Sequence, residues 1–232
     1  MPSDLPRPEG LIFDLDGTLV DTVQKRIDGW LEALRDAGIA ASPSQIAPLI
    51  GMDGKRLARD VAQEAGRSLS EEETEAIDHA AGEAFDRRNL EPEPLPGVAE
   101  VLDAIEMIGA RWLIATSSRA AQVRGSVAAL GLDDQPEIVD GSHVEHAKPA
   151  PDLLLLAAQR LGVPPERCWA IGDSTWDARA AAAAGMTSVC VMAGSAVSVG
   201  DLLAAGAAVV VPTLADLAGL VQEASVSASG AG

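Results

Sequence analysis

Short apolar runs separated by segments of helical length are the sequence feature that most constrains this fold. The runs are bounded by Gly, Pro, Asp or Ser, and they occupy residues 11–14, 112–115, 138–139, 169–171, 188–192 and 208–211. Such runs are typical of strands buried on both faces of a sheet. Amphipathic segments of crossover length lie between them, at residues 98–108, 121–130, 151–161 and 176–184. The alternation predicts an α/β fold with a Rossmann-like, doubly wound parallel sheet.

Residues 22–93 do not follow this alternation of predicted strands and helices. They contain no convincing strand, and their apolar spacing predicts helices at residues 23–37, 43–49, 54–65 and 71–89. An ordinary crossover needs far fewer residues, so a small all-helical cap inserted after the first strand is expected. The predicted domains are an α/β core of residues 1–21 and 94–223, a helical cap of residues 22–93 and a disordered tail of residues 224–232.

The chain is strongly acidic. Its 232 residues include 35 Asp and Glu but 17 Lys and Arg, which gives a formal net charge of −18. This field repels polyanions, so neither nucleic acid nor an anionic membrane is expected as a partner. A small phosphorylated metabolite is still expected as a partner, because salt largely screens the net charge of the protein beyond roughly 8 Å. The sequence shows neither a secretory signal nor an apolar stretch of roughly 18 residues, so a cytoplasmic protein is expected. A monomer or a homodimer is expected.

Two carboxylates, Asp14 and Asp16, stand at the end of the first apolar run. A period of two along an extended chain sends both side chains to the same side. Buried carboxylates cost free energy unless a cation, a shared proton or a reaction compensates them. Gly17 then allows the backbone to turn and to approach a ligand closely. The alternative is a strand followed by an ordinary Asp-Gly turn.

Three other segments of the chain also place polar residues beside the end of a predicted strand or the start of a predicted helix. Thr116-Ser117 follows a predicted strand, Lys148 precedes a predicted helix, and Asp173 and Asp177 follow another strand. Taken singly, they are also consistent with a helix cap, a solvated lysine and helix-terminal charges. Ligands of open α/β sheets bind beyond the carboxyl ends of the strands, so all of them converge on one crevice. Carboxylates, hydroxyls and one ammonium group are the parts that phosphoryl transfer needs, and an all-oxygen ligand set favours Mg²⁺.

The four segments together resemble the ordered motifs of the haloacid dehalogenase superfamily. The matching residues are 14–21, Thr116-Ser117, Lys148-Pro149 and 172–177, and the resemblance covers residues 11–220. The helical insertion is similar to the small C1-type cap of the phosphatases and β-phosphoglucomutase-like members of that superfamily. The resemblance therefore implies a capped phosphoric monoester hydrolase with a Rossmann-like core.

Roles for the carboxylates follow from this resemblance. Asp14 would be the nucleophile that forms an aspartyl-phosphate, and Asp16 the general acid and then the general base. Mg²⁺ would be held by the Asp14 side chain, the Asp16 carbonyl and Asp173. Asp177 would bind the metal through water or orient its neighbours.

The resemblance also implies which residues hold the phosphate. Thr116 and the Ser117 backbone would bind phosphate oxygens, close to the Gly17 backbone. Lys148 would neutralise developing charge and orient Asp14.

Individual residues within the motifs indicate the type of reaction but not the substrate. Within the superfamily that the chain resembles, a second aspartate at Asp16 implies phosphate esters rather than carbon–halogen chemistry, and Thr18 implies a hydrolase rather than a phosphosugar mutase. The leading hypothesis is a Mg²⁺-dependent phosphatase acting on a sugar phosphate or phosphoglycolate. A β-phosphoglucomutase-type mutase is the first alternative, and a receiver-like protein phosphorylated at Asp14 without hydrolysis is the second.

Substrate choice is expected to lie in the cap, because the core contacts only the phosphate. Gly51, Lys55 and Arg56 belong to the segment that resembles the cap loop facing the active site, and Arg26 lies on the first cap helix. These residues are candidates for contacting an anionic or hydroxylated leaving group. The alternative for Lys55 and Arg56 is the start of a solvated helix.

Overall fold

A six-stranded parallel sheet organises the computed structural model, which describes residues 5–118 and 120–229. Its strands are β1 Gly10–Phe13, β2 Arg111–Ala115, β3 Ile138–Val139, β4 Cys168–Gly172, β5 Thr187–Val191 and β6 Val209–Val211. The spatial order is β3-β2-β1-β4-β5-β6, and each neighbouring pair is parallel. The order reverses beside β1, which places a topological switch point at the end of that strand. The predicted doubly wound, Rossmann-like fold is confirmed.

Four helices between β1 and the rest of the sheet form a layer of their own. They are α1 Val23–Asp36, α2 Pro43–Ile46, α3 Gly54–Glu64 and α4 Glu71–Arg88, with a 3₁₀ turn at Ala47–Leu49. Their apolar faces enclose a hydrophobic cluster distinct from those on the sheet. Ser70 begins α4 in a capping box, since its hydroxyl accepts from the Glu73 N–H at 3.1 Å.

The remaining helices cover both faces of the sheet. They are α5 Val98–Ile108, α6 Ala120–Ala129, α7 Asp152–Leu161, α8 Thr175–Ala184, α9 Val199–Ala204 and α10 Leu214–Ser229, with 3₁₀ turns at Gly141–His143 and Pro165–Arg167. Helices α5, α6 and α10 bury apolar side chains against one face, and α7 and α8 against the other. None of the helices that the structure describes is both long and apolar enough to cross a membrane.

The end of α10 corrects the prediction of a disordered tail from residue 224. The helix continues to Ser229, and Ala224 is buried in the cluster that lies against the sheet. Small residues are compatible with a helix, and one of them here supplies apolar surface to the core. Residues 230–232 lie outside the described part of the chain.

Two connections join the α1–α4 layer to the sheet, and they run side by side. The Asp21 N–H donates to the Glu93 carbonyl at 2.9 Å, and the Leu95 N–H donates to the Leu19 carbonyl at 2.8 Å. A third contact comes from α8, where Trp176 packs into the cluster of the α1–α4 layer and its Nε1 donates to the Pro48 carbonyl at 3.0 Å. The helical layer is thereby held over the carboxyl edge of the sheet.

Candidate active site

Asp14 and Lys148 form a buried ion pair at the carboxyl edge of the sheet. Asp14 follows β1, and its N–H donates to the Ile171 carbonyl of β4, which fixes the backbone at the switch point. Lys148 lies in the loop before α7, and its Nζ is 2.8 Å from Asp14 Oδ1 and 2.6 Å from Asp177 Oδ1. All three residues are less than 10% exposed. These residues lie together in one crevice, which is the placement that the sequence predicts.

Burial and mutual repulsion shift the pKa values of this group. Burial raises the pKa of Asp14 to about 7, although Lys148 opposes the shift. Burial and the neighbouring carboxylates of Asp177 and Asp14 likewise raise the pKa of Asp173 well above its ordinary value. Burial alone would lower the pKa of Lys148, but Asp14 and Asp177 outweigh it and hold that pKa above its ordinary value. One ammonium group therefore faces three carboxylates, which is an excess of negative charge that a bound cation would compensate.

The same three carboxylates are close enough to share a metal ion. Asp14, Asp173 and Asp177 are buried, and each offers an oxygen within 4.8 Å of the others. The oxygen-only donor set suits a hard divalent cation. This group could therefore hold a metal ion.

The three acids differ in how many of their oxygens are already engaged. Asp177 uses both: Oδ1 faces Lys148, and Oδ2 accepts from the Ser174 hydroxyl at 2.5 Å in a capping box at the start of α8. Asp173 accepts from the Thr18 hydroxyl at Oδ1, 3.0 Å away, and its carbonyl accepts from the Ser195 hydroxyl. Both carboxylate oxygens of Asp177 are thus engaged, whereas the hydrogen bond from Thr18 engages one carboxylate oxygen of Asp173.

Gly17 allows the chain to pass close to Asp173. Its φ is +80°, and a Cβ at this position would lie 2.5 Å from Asp173 Oδ2 and 2.5 Å from Val23 Cγ2. A side chain would therefore be strained and would also clash. The glycine is required by the geometry of the site, as the sequence suggested.

Asp16 is bound by residues from three parts of the chain. Its Oδ2 is 2.6 Å from an Arg26 amino group and 2.7 Å from the Ser118 hydroxyl, and its Oδ1 accepts from the Thr22 hydroxyl at 2.8 Å. Burial alone would raise the pKa of Asp16, but Arg26 and the two hydroxyls outweigh it and hold that pKa below its usual value. Asp16 is therefore ionised in this arrangement and connected to helix α1.

Sequence reasoning left Ser118 and Thr22 out of the site. Ser118 directly follows the Thr116-Ser117 pair, and its N–H donates to the Thr116 hydroxyl at 3.1 Å. Thr22 occupies the N-cap position of α1, which is the ordinary explanation for a threonine there, yet its hydroxyl makes no capping bond and turns to Asp16. Adjacency to a motif was the available signal for Ser118; for Thr22 the sequence offered none.

A cavity of about 550 Å³ lies between the sheet edge and the helical layer. Its lining includes the predicted residues Asp14, Asp16, Thr116, Ser117, Asp173, Arg26, Gly51 and Lys55. Lys148, Asp177 and Gly17 lie behind this lining, in contact with the lining carboxylates or packed close against them. The Ser117 hydroxyl reaches across to the Gly51 carbonyl, 3.5 Å away.

Arg56 is another predicted site residue that lies outside the lining. Its guanidinium carbon is 5.7 Å from the centre of the Trp176 ring, and its Nε is 3.5 Å from Asp60. Lys55, one position earlier, lines the cavity and forms an ion pair with Glu75. Adjacent helical residues point in different directions, and on α3 it is Lys55 rather than Arg56 that is turned towards the cavity.

Fold and site together define the class of this protein: a Rossmann-like α/β protein with a cluster of buried carboxylates at the carboxyl edge of its sheet. The chain belongs to the haloacid dehalogenase-like hydrolases, because the sequence model of that family matches residues 8–185. The resemblance drawn from the motifs is confirmed.

Named relatives support phosphatase activity. The chain is 34% identical over 191 residues to fructose-1-phosphate phosphatase YqaB of Escherichia coli, a match that covers 79% of this chain and 96% of that protein. It is 31% identical over 194 residues to a phosphoglycolate phosphatase of Xylella fastidiosa, covering 81% and 82%. A hydrolase from Pseudomonas syringae superposes with a TM-score of 0.87 at 34% identity, covering 93% of this chain and 98% of that one.

Proposed function

We propose that this chain is a Mg²⁺-dependent phosphatase that hydrolyses a small phosphate monoester through an aspartyl-phosphate at Asp14. The observation that carries the proposal is the buried Asp14–Lys148 pair, which opens on a cavity that Asp16 also lines. The relatives named for fructose 1-phosphate and phosphoglycolate support a small phosphorylated metabolite as the substrate. Residues 22–93 would act as a cap over this site.

The reaction divides into two displacements at phosphorus. In the first, an Asp14 oxygen forms a bond to phosphorus while the bond to the leaving oxygen breaks, and Asp16 gives that oxygen a proton. In the second, Asp16 takes a proton from water, the water oxygen bonds to phosphorus and the Asp14–phosphorus bond breaks. Phosphate and the free carboxylate of Asp14 result. To act as the acid, Asp16, which is ionised in the arrangement described above, must first exchange at least one of its contacts with Arg26, Ser118 and Thr22 and take up a proton from water.

The other buried groups would position the phosphate. Lys148 holds Asp14 at 2.8 Å and supplies positive charge beside the transferring group. Asp177 also pairs with Lys148, at 2.6 Å, and would act as a positioning residue. Thr116, the Ser117 backbone and the Gly17 backbone would bind the remaining phosphate oxygens.

The carboxylates fit Mg²⁺ because they are buried, close together and compensated by a single lysine. Asp14, Asp173 and the Asp16 carbonyl would hold the ion, and Thr18 would orient Asp173. When bound, Mg²⁺ would neutralise phosphate charge and so make phosphorus easier to attack.

Phosphate release from a panel of monoesters, including p-nitrophenyl phosphate, tests the proposal. We expect turnover with Mg²⁺, loss of turnover with a chelator and recovery when Mg²⁺ is added back. Phosphate must appear without an isomerised sugar phosphate, because an isomer would indicate the mutase alternative. Absence of turnover across the panel, or turnover that a chelator does not change, would contradict the proposal.

A further inference from the structure

The cavity wall opposite Asp14 carries an excess of negative charge. We call the cavity-lining residues between positions 30 and 86 the cap wall; they come from α1, the 3₁₀ turn at Ala47–Leu49, the loop before α3, α3 and α4. Its charged members include four carboxylates, namely Asp53, Asp78, Glu83 and Asp86. Among the residues that the structure describes, Lys55 is the one permanently charged cation of this wall. The part of the cavity that would receive the leaving group is therefore acidic before any substrate enters.

The cations near this wall already face carboxylates. Lys55 forms an ion pair with Glu75, which together with nearby acids raises the pKa of Lys55. Arg26, between the cap wall and the sheet edge, is 2.6 Å from Asp16 and 2.5 Å from the Ser118 hydroxyl. A carboxylate on the substrate would have to compete with these existing pairs.

Apolar side chains lie between the carboxylates of the cap wall. Trp30, Met52 and Phe85 line the cavity and are each less than 10% exposed. Sugars and polyols present both C–H groups, which pack against apolar and aromatic surfaces, and hydroxyls, which donate to carboxylates. An apolar pocket with a few polar groups at defined places is the usual form of a selective small-molecule site.

We propose that the cap wall selects a neutral leaving group rich in hydroxyls, such as a sugar or a polyol, and rejects one that carries a carboxylate. The inference rests on the proposed phosphatase function and names the substrate class of the same site. A substrate carboxylate would meet the like charges of the cap wall, and this repulsion is strongest at low ionic strength. A hydroxymethyl group in the same place would donate hydrogen bonds to the same oxygens.

Two matched pairs of substrates isolate the carboxylate. 2-Hydroxyethyl phosphate differs from phosphoglycolate, and glycerol 3-phosphate from 3-phosphoglycerate, by a hydroxymethyl group in place of a carboxylate. With Mg²⁺ at low ionic strength we expect kcat/KM to be about tenfold higher for the neutral member of each pair. Added salt should narrow the ratio, because screening weakens the repulsion. Equal values, or a preference for the carboxylates, would overturn the inference.

A charge reversal on α4 tests whether the cap wall is the cause. Glu83→Lys should raise kcat/KM for phosphoglycolate relative to 2-hydroxyethyl phosphate by about threefold or more. Glu72→Lys is the matched control, since Glu72 is exposed on the same helix but does not line the cavity. Glu83→Gln should shift the ratio in the same direction by less, which guards against a folding defect in the lysine variant. Equal ratios for the Glu83 and Glu72 variants would contradict a role for the wall.

The design separates two kinds of failure. If neither p-nitrophenyl phosphate nor any of the four substrates is turned over, the proposed phosphatase function is contradicted. If all of them are turned over with a preference for the carboxylates, the phosphatase function is supported and the inference about the cap wall alone is contradicted.

Discussion

The two walls of the cavity hold their charged groups in different ways. On the sheet side, Asp14, Lys148, Asp173 and Asp177 are buried and connected to one another across several strand ends. On the cap side, Glu83 is exposed and belongs to a single helix. Buried groups with several partners keep one geometry, whereas exposed groups can change without disturbing a core. The difference is consistent with the proposal that the reaction takes place at the sheet edge and that the cap wall selects the substrate.

Replacing the proposed nucleophile at the sheet edge should have the largest effect on activity. Asp14→Asn keeps the shape of the side chain but cannot form the aspartyl-phosphate, so kcat should fall by about 10⁴-fold or more on every substrate. Steady-state phosphate release measures the loss, and circular dichroism checks the fold. A decrease of tenfold or less would place the nucleophile elsewhere.

Asp16→Asn should have the next largest effect, on the order of 10² to 10⁴ in kcat. The loss has two parts, since the variant neither protonates the leaving oxygen nor activates water. With p-nitrophenyl phosphate, whose leaving group needs little protonation, a rapid burst of p-nitrophenol should precede slow turnover. Asp21→Asn, at an exposed aspartate of the same connecting segment, is the control and should turn over at a rate near that of the wild type. A kcat near that of the wild type for Asp16→Asn on glycerol 3-phosphate would refute the acid–base role.

Substitution of Thr18 tests whether its hydroxyl supports the proposed metal ligand Asp173. Thr18→Val removes the hydroxyl that donates to Asp173 at 3.0 Å and keeps the side-chain shape. Partners of metal ligands contribute about 10- to 100-fold in affinity, so the Mg²⁺ concentration for half-maximal activity should rise by that factor. Thr18→Ser keeps the hydroxyl and should restore most of the affinity. An unchanged Mg²⁺ requirement in the valine variant would show that the contact does not support the metal.

Arg56 should give the smallest effect. The side chain packs near Trp176 and Asp60 rather than lining the cavity, so Arg56→Ala should leave KM for every substrate within about twofold. Lys55→Ala is the informative comparison, because Lys55 lines the cavity and its loss should change KM unequally among substrates. A large KM change for Arg56→Ala would mean that Arg56 turns into the cavity when substrate binds.

The fold and the sheet edge of the site could be predicted because their signals are local. Apolar runs mark the strands, and polar residues just after them must meet at one edge of a parallel sheet. Helix α5 was predicted with the bounds that the structure has, Val98–Ile108. Helices α9 and α10 were not predicted, since α9 is short and α10 mixes Ala, Gly and Ser with its apolar residues, which leaves a weaker pattern.

Contacts between the helical layer and the sheet edge could not be predicted in the same way. The Asp16 cluster joins Arg26 and Ser118, which are 92 residues apart in sequence. Their meeting depends on how α1 lies over the sheet, and no local pattern encodes that placement. The separation of Lys55 from Arg56 is likewise set by the rotation of α3 about its axis, because adjacent residues on a helix point in different directions.

Direct detection of the phosphoenzyme tests the central claim. The Asp16→Asn variant should accumulate it with p-nitrophenyl phosphate, because departure of p-nitrophenol needs little acid catalysis whereas hydrolysis needs the base. We predict that acid quenching followed by peptide mass spectrometry will show a phosphoryl group on Asp14, absent when Asp14→Asn is added to the same variant. Phosphate release with the modification on another residue, or with no modified peptide at any time point, would contradict the account.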